Sequence, residues 1–253
     1  MSTVAPTLEL RGISKAFGSV QALDDVDFEV RAGEVMALVG DNGAGKSTLI
    51  KCVAGIHPID AGEIRFDGRL VHIHGPKDAA ELGIEVVYQD LALCDNLDVV
   101  QNMFLGREVR DVFFRLKEAP MEERTAETLR SLSVTTIRSV RQPVASLSGG
   151  QRQSVAVARA VLWNSRVVIL DEPTAALGVA QTRQVLELVK RLAAQGLAVV
   201  IISHNLNDVF EVADRITVLR LGRNVGLYER DRTTQQEIVS AITFGVRERE
   251  RVP

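Results

Sequence analysis

The run Val35-Met36-Ala37-Leu38-Val39, followed by Gly40-Asp41-Asn42-Gly43-Ala44-Gly45-Lys46-Ser47 and Thr48, decides the fold class of this 253-residue chain. Five consecutive apolar residues without polar alternation are the pattern of a strand buried on both faces. The next eight fit G-x-x-x-x-G-K-[ST], and Leu49, Ile50 and Val53 then continue at helical spacing. Strand, glycine-rich turn and helix let backbone N–H groups converge at a helix N-terminus, whose partial positive charge favours an anion. Lys46 reaches β- and γ-phosphates from such a turn, and the Ser47 hydroxyl suits Mg²⁺. The bland alternative is a glycine-rich turn alone, but this string in this context favours nucleotide binding.

Moving outward, similar apolar runs recur at Val167–Leu170 and Leu197–Ile202. Between them Val185, Leu188, Val189 and Leu192 fall at helical spacing, with Gly196 placed to end the helix. Strand, helix and strand with short connections make a parallel βαβ unit, so the class is α/β. Upstream, Leu8 and Leu10, then Val26, Phe28 and Val30, alternate with polar neighbours, as in a half-buried antiparallel sheet. Residues 91–162 carry helical segments around Leu97–Leu105 and Pro120–Leu132 and read as a helical subdomain inserted into the core. The tail 246–253 alternates Arg and Glu and reads as a solvated end.

Asp171-Glu172 closes the Val167–Leu170 run. Ligand chemistry in open parallel sheets gathers at the carboxyl ends of strands, and this strand is expected to lie beside the cradle strand. Asp171 is then placed to hold Mg²⁺ through water, and Glu172 to orient or deprotonate a water attacking a γ-phosphate. The alternative is an acidic pair capping the segment after Pro173.

Composition narrows the partners. Thirty basic against 33 acidic residues leave a net charge of −3, so there is no excess positive charge with which to bind nucleic acid generally. Only six of the basic residues are Lys, which singles out Lys46. Cys52 and Cys94 cannot make a disulfide framework and suit a reducing compartment. No apolar run approaches the roughly 20 residues of a membrane-crossing helix. Met1–Leu10 carries Glu9 and no basic segment, unlike a signal peptide.

Leu147-Ser148-Gly149-Gly150-Gln151, ahead of a helix and upstream of the acidic strand, resembles the signature of ABC-type ATPases. The resemblance spans nearly the whole chain, taken as one domain over 6–245, with motifs in the family order. It implies a P-loop NTPase (RecA-like) core with an N-terminal antiparallel β-subdomain, and ATP and Mg²⁺ as ligands. Residue by residue, it implies that Phe17 stacks on adenine and that Gln89 touches Mg²⁺ or the attacking water and faces the transport partner. It further implies that His204 contacts the γ-phosphate. Two subunits would pair head to tail, with Ser148, Gly149, Gly150 and Gln151 of one closing on ATP held by the other. His57, His72 and His74 match no motif.

Two departures stand out. The acidic residue usual after Pro-Thr-Ser/Ala-Ala-Leu is Gly178 here, which puts communication between sites through that carboxylate in doubt. Ser154-Val155-Ala156 is milder than the basic or aromatic residues often found after the signature. The stretch Leu147–Thr182 resembles ATPases of bacterial monosaccharide importers of the ribose/xylose/fructose class. That implies a second ATPase subunit, an integral membrane permease and a periplasmic or extracellular sugar-binding protein, with this chain peripheral at the cytoplasmic membrane face. Many ATPases of that class carry two cassettes in one long chain, whereas this sequence has one, and its length is expected to leave no room for the regulatory β-domain of disaccharide-importer ATPases. The alternatives are a non-transport ATPase of an iron–sulfur scaffold and a nucleotide switch that hardly hydrolyses.

Overall fold

A computed structural model describes residues 5–245, so the 246–253 tail lies outside the described residues. In chain order the elements are β1 (Leu8–Phe17), β2 (Val20–Val30), β3 (Val35–Val39), α1 (Lys46–Val53), β4 (Ala61–Phe66) and β5 (Arg69–Val71). There follow α2 (Pro76–Glu81), β6 (Ile84–Val87), α3 (Val99–Phe104), α4 (Glu118–Ser131) and α5 (Gly149–Val161). The chain then forms β7 (Val167–Asp171), α6 (Val179–Ala194), β8 (Ala198–Ile202), α7 (Leu206–Val212), β9 (Arg215–Arg220), β10 (Arg223–Glu229) and α8 (Gln235–Phe244).

Two sheets result. The first has the order β2-β1-β4-β5 and is antiparallel, with Leu8 opposite Val30 and Leu10 opposite Phe28. Its alternating residues Leu8, Leu10, Val26, Phe28 and Val30 are all buried, as the period of two predicts. The second has the order β10-β9-β3-β8-β7-β6 and is parallel except for β10. Every residue of β3 and of β8 is buried. Alternate residues of β3 serve two cores. Met36 and Leu38 pack with Leu8, Phe28 and Ile50 toward the antiparallel sheet, while Val35, Ala37 and Val39 pack with Phe104 and Leu188 under the helices.

The acidic strand β7 does not lie beside the cradle strand β3, contrary to the sequence expectation. β8 stands between them, pairing with β3 on one side and β7 on the other. The reason is the connection itself: α6 is a single-helix crossover that returns the chain to the position next to β7, and β8 then takes the place beside β3. Gly196 follows α6 at φ +91°, a conformation suited to glycine, and turns the chain into β8.

Side chains join the two sheets. Asn224 of β10 accepts the Asp27 N–H at 2.7 Å and donates to the Asp27 carbonyl at 2.9 Å, linking the edges of β10 and β2. Arg215 pairs with Glu29 at 2.7 Å and donates to Glu34 at 3.0 Å. The predicted helices at 97–105 and 120–132 are α3 and α4. Asp98 starts α3 by accepting the Gln101 N–H at 2.7 Å, and the Gln101 side chain returns a bond to the Asp98 N–H at 3.1 Å.

Candidate active site

A cleft of about 550 Å³ opens at the C-terminal ends of β3 and β8. Gly40, Asp41 and Asn42 of the turn line it, together with Gln89, Glu172, Ser203 and His204. α8 supplies a further wall through Val239, Ile242 and Thr243, residues that carry no motif and that sequence reasoning missed.

The turn requires its glycines for different reasons. Gly40 has φ +153°, and a Cβ there would stand 2.2 Å from the Leu219 carbonyl oxygen. Gly45 has φ +102°, and a Cβ would meet the Ala22 carbonyl oxygen at 2.7 Å and Leu23 Cδ2 at 2.9 Å. Lys46 Nζ donates to the Gly40 and Asp41 carbonyls at 2.7 and 3.0 Å, so the lysine also closes the loop that presents it. Burial lowers the Lys46 pKa, and the nearby Glu172, Asp171 and Asp41 carboxylates oppose that shift. Ser47 and Thr48 follow in the first turn of α1, Ser47 exposed and Thr48 half-buried.

Asp171 is the last residue of β7. Burial raises its pKa, the Glu172 charge adds to the rise, and Lys46 counteracts it. Glu172 adopts φ +51°, uncommon for a residue with a side chain, and its N–H is held by the Ile202 carbonyl at 2.9 Å. This turn points the carboxylate at His204, whose Nδ1 stands 2.8 Å from Glu172 Oε2. Because β8 lies next to β7, the histidine that follows β8 meets the glutamate that follows β7 directly.

Among the described residues, no three His, Cys, Asp or Glu side chains gather to hold a metal ion. The oxygen donors Ser47, Gln89 and Asp171 nevertheless have the chemistry Mg²⁺ takes beside phosphate. Asp171, whose pKa is raised first by burial and then by the adjacent Glu172 charge, suits a cation as well.

Phe17 is 44% exposed, so it is not a strand core residue. Its ring stands edge-on to His57 with centroids 5.0 Å apart, and Lys15 Nζ lies 5.5 Å from its centroid. Tyr88, beside Gln89, has its pKa raised by burial and by Asp171.

The signature residues do not line the cleft. Ser148 caps α5: its Oγ accepts the Gln151 N–H at 3.4 Å, while Gln151 Oε1 accepts the Ser148 N–H at 2.8 Å. Gly149 and Gly150 allow a close approach to the start of α6. A Cβ on Gly149 would meet Leu177 Cδ2 at 2.9 Å, and one on Gly150 would meet Gln181 Cβ at 3.1 Å. The mild Ser154-Val155-Ala156 sequence also has its reason, since all three side chains are buried. Gly178, by contrast, has φ −74°, and a Cβ there would meet nothing within 4 Å, so glycine is not required.

Asn102 is a further residue that sequence reasoning missed. Fully buried, it accepts the Cys94 N–H at 2.7 Å and donates to the Cys94 and Asp98 carbonyls at 3.0 Å each. It thereby fixes the path of the chain beyond Gln89. Its partners are backbone groups, so no side-chain pattern announces it.

A phosphate cradle and an acidic strand end on a parallel-rich sheet, with an added antiparallel sheet and a helical insertion, define a P-loop ATP-binding cassette. The chain belongs to the ABC transporter family, whose family model matches residues 23–175. It is 48% identical over 244 residues to the fructose import ATP-binding protein FrcA of Rhizobium meliloti, covering 94% of each chain. It is also 48% identical over 236 residues to the xylose/arabinose import ATP-binding protein XylG of Sulfolobus acidocaldarius, covering 93% of each. Among solved structures it resembles the ADP conformation of MJ1267, an ATP-binding cassette of an ABC transporter. The TM-score is 0.81 at 25% identity, over 95% of this chain and 96% of that one.

Proposed function

We propose that residues 6–245 form one cassette, with 91–162 as its helical subdomain, that hydrolyses ATP to drive monosaccharide import through a separate permease. Two relatives that align over nearly their whole length are named as sugar import ATP-binding proteins, and this supports the substrate class. The partners are a second ATPase subunit, the membrane permease and an extracytoplasmic sugar-binding protein. No helix among the described residues is long and apolar enough to cross a membrane, which accords with a peripheral place on the cytoplasmic face.

The observation that carries the proposal is that Gly40–Asn42, Gln89, Glu172 and His204 line one cleft. In it the loop N–H groups and Lys46 hold the ATP phosphates. Ser47, Gln89 and Asp171 would hold Mg²⁺, which would neutralise phosphate charge when bound. Phe17 offers an exposed ring for the adenine. Glu172 accepts a proton from the water whose oxygen attacks the γ-phosphorus, as the bond to the ADP oxygen breaks. His204, whose Nδ1 stands 2.8 Å from that carboxylate, orients it and faces the γ-phosphate. Ser148 to Gln151 serve the nucleotide of the partner subunit, in keeping with their place off the cleft. No observation favours the iron–sulfur scaffold reading.

The test is turnover in vesicles containing the permease and the binding protein. Glu172→Gln retains ATP binding and loses hydrolysis and sugar uptake by about 10²-fold or more, the range of a lost general base. Undiminished hydrolysis by this variant refutes the assignment.

A further inference from the structure

The segment after Gln89 has no strand or helix of its own before α3, yet a single helix grips it twice. Arg159 of α5 donates through Nη2 to the Leu91 carbonyl at 2.9 Å and through Nη1 to the Ala92 carbonyl at 3.0 Å. On the same helix, Arg152 Nη1 meets Asp95 Oδ1 at 2.8 Å. The spacing from 152 to 159 is about two helical turns, so both cations leave α5 from one face. This is the helix that Ser148 caps.

The gripped backbone is not one that local propensity would choose. Ala92 sits at φ +49°, a left-handed conformation uncommon for alanine, and its N–H bonds Asp90 Oδ1 at 3.3 Å. Such a conformation persists where the surroundings over-determine it. Here the surroundings include a guanidinium whose planar fork takes two successive carbonyls, a geometry an ammonium cannot copy. Arg159 holds this place although burial disfavours its charge, with Glu85 nearby as partial compensation.

From this geometry we infer that Arg159 is a positioning residue for Gln89: the signature helix α5 carries the Gln89 segment on its Arg152–Arg159 face. Displacement of α5 by a partner at its Ser148 end is then delivered to the cleft through the Leu91 and Ala92 carbonyls. The inference rests on the proposed role of Gln89 in ATP turnover. A purely structural arginine would tie down the same loop without its loss being read out through Gln89.

The experiment is a double-mutant cycle in the assembled transporter, with ATP turnover and hydrogen exchange measured on the same preparations. Arg159→Met keeps the apolar stem and lowers kcat about tenfold, within the range of a misplaced catalytic group, with KM for ATP near wild type. Arg159→Lys restores part of that loss. In a Gln89→Ala background Arg159→Met causes no further loss, and amides at 91–94 exchange faster while those of central α5 remain protected. An unchanged kcat, a loss confined to KM, or full additivity with Gln89→Ala overturns the inference. If Gln89→Ala alone leaves turnover intact, the role of Gln89 falls and this inference with it. If Gln89→Ala slows turnover while Arg159→Met does not, only the inference falls. Should Arg159→Met fail to fold, Arg152→Gln, which removes the second grip, is put through the same cycle with the same criteria.

Discussion

Replacing Gly45 and Gly43 by alanine, one at a time, separates two costs that the phosphate turn imposes. Both glycines have positive φ, +102° at Gly45 and +80° at Gly43. An L residue in left-handed backbone costs about 1–2 kcal/mol, and both variants carry that penalty. Only Gly45 adds a collision, since its Cβ would stand 2.7 Å from the Ala22 carbonyl oxygen and 2.9 Å from Leu23 Cδ2. At Gly43 nothing lies within 4 Å. Relief at Gly45 requires β2 or the start of α1 to shift, and overpacking of this kind adds about 1–3 kcal/mol. The totals are about 1.5 kcal/mol for Gly43→Ala and about 3.5 kcal/mol for Gly45→Ala. At about 2–4 °C per kcal/mol for a chain near this size, Tm falls by about 3–6 °C and about 7–14 °C respectively. Thermal unfolding of the free chain, followed by circular dichroism, reads both. Equal losses in the two variants refute the steric account and leave only the conformational one.

Two further outcomes follow from the same site. The folded state holds the Asp171 proton at pH values where an unfolded Asp has released it, because burial raises its pKa. Stability of the free chain therefore declines as pH rises through that window and stays reduced at neutral pH. Asp171→Asn removes this loss and raises Tm at pH 7 relative to wild type, while Mg²⁺-dependent ATP turnover falls; equal pH slopes of Tm in the two proteins contradict the reasoning. At Gly178 the backbone is extended with φ −74° and begins α6, so Gly178→Asp gains a helix cap worth a few tenths of a kcal/mol. A lowered Tm in that variant would show that the glycine is structurally required after all.

Much of the fold is legible in advance because its signals are local. The apolar runs of β3, β7 and β8 and the alternation in β1 and β2 each report burial of the very residues that spell them. Strand order is not local, and the place of β8 between β3 and β7 emerges only from the structure. The site divides in the same way. Lys46, Asp171, Glu172 and His204 are chemically distinctive and lie at or after strand ends, so the sequence alone singles them out. Asn102 and Arg159 act on backbone carbonyls, and α8 lends the cleft ordinary apolar residues. None of these leaves a compositional trace.

The cap on α5 limits what can be substituted at its start. At most helices Asp or Asn replaces Ser at the N-cap with little change in stability, because each supplies an oxygen to the first turn. Ser148 Oγ, having accepted the Gln151 N–H, still has a proton to give outward. Aspartate has none, and in the head-to-tail pairing proposed above it would present a like charge to the phosphate held by the other subunit. A screen for thermal stability alone would pass Ser148→Asp as neutral, whereas a screen for transport would reject it. With the pairing proposed above, position 148 serves both roles only with a neutral group that accepts from the first turn and still donates outward, as the Ser148 hydroxyl does.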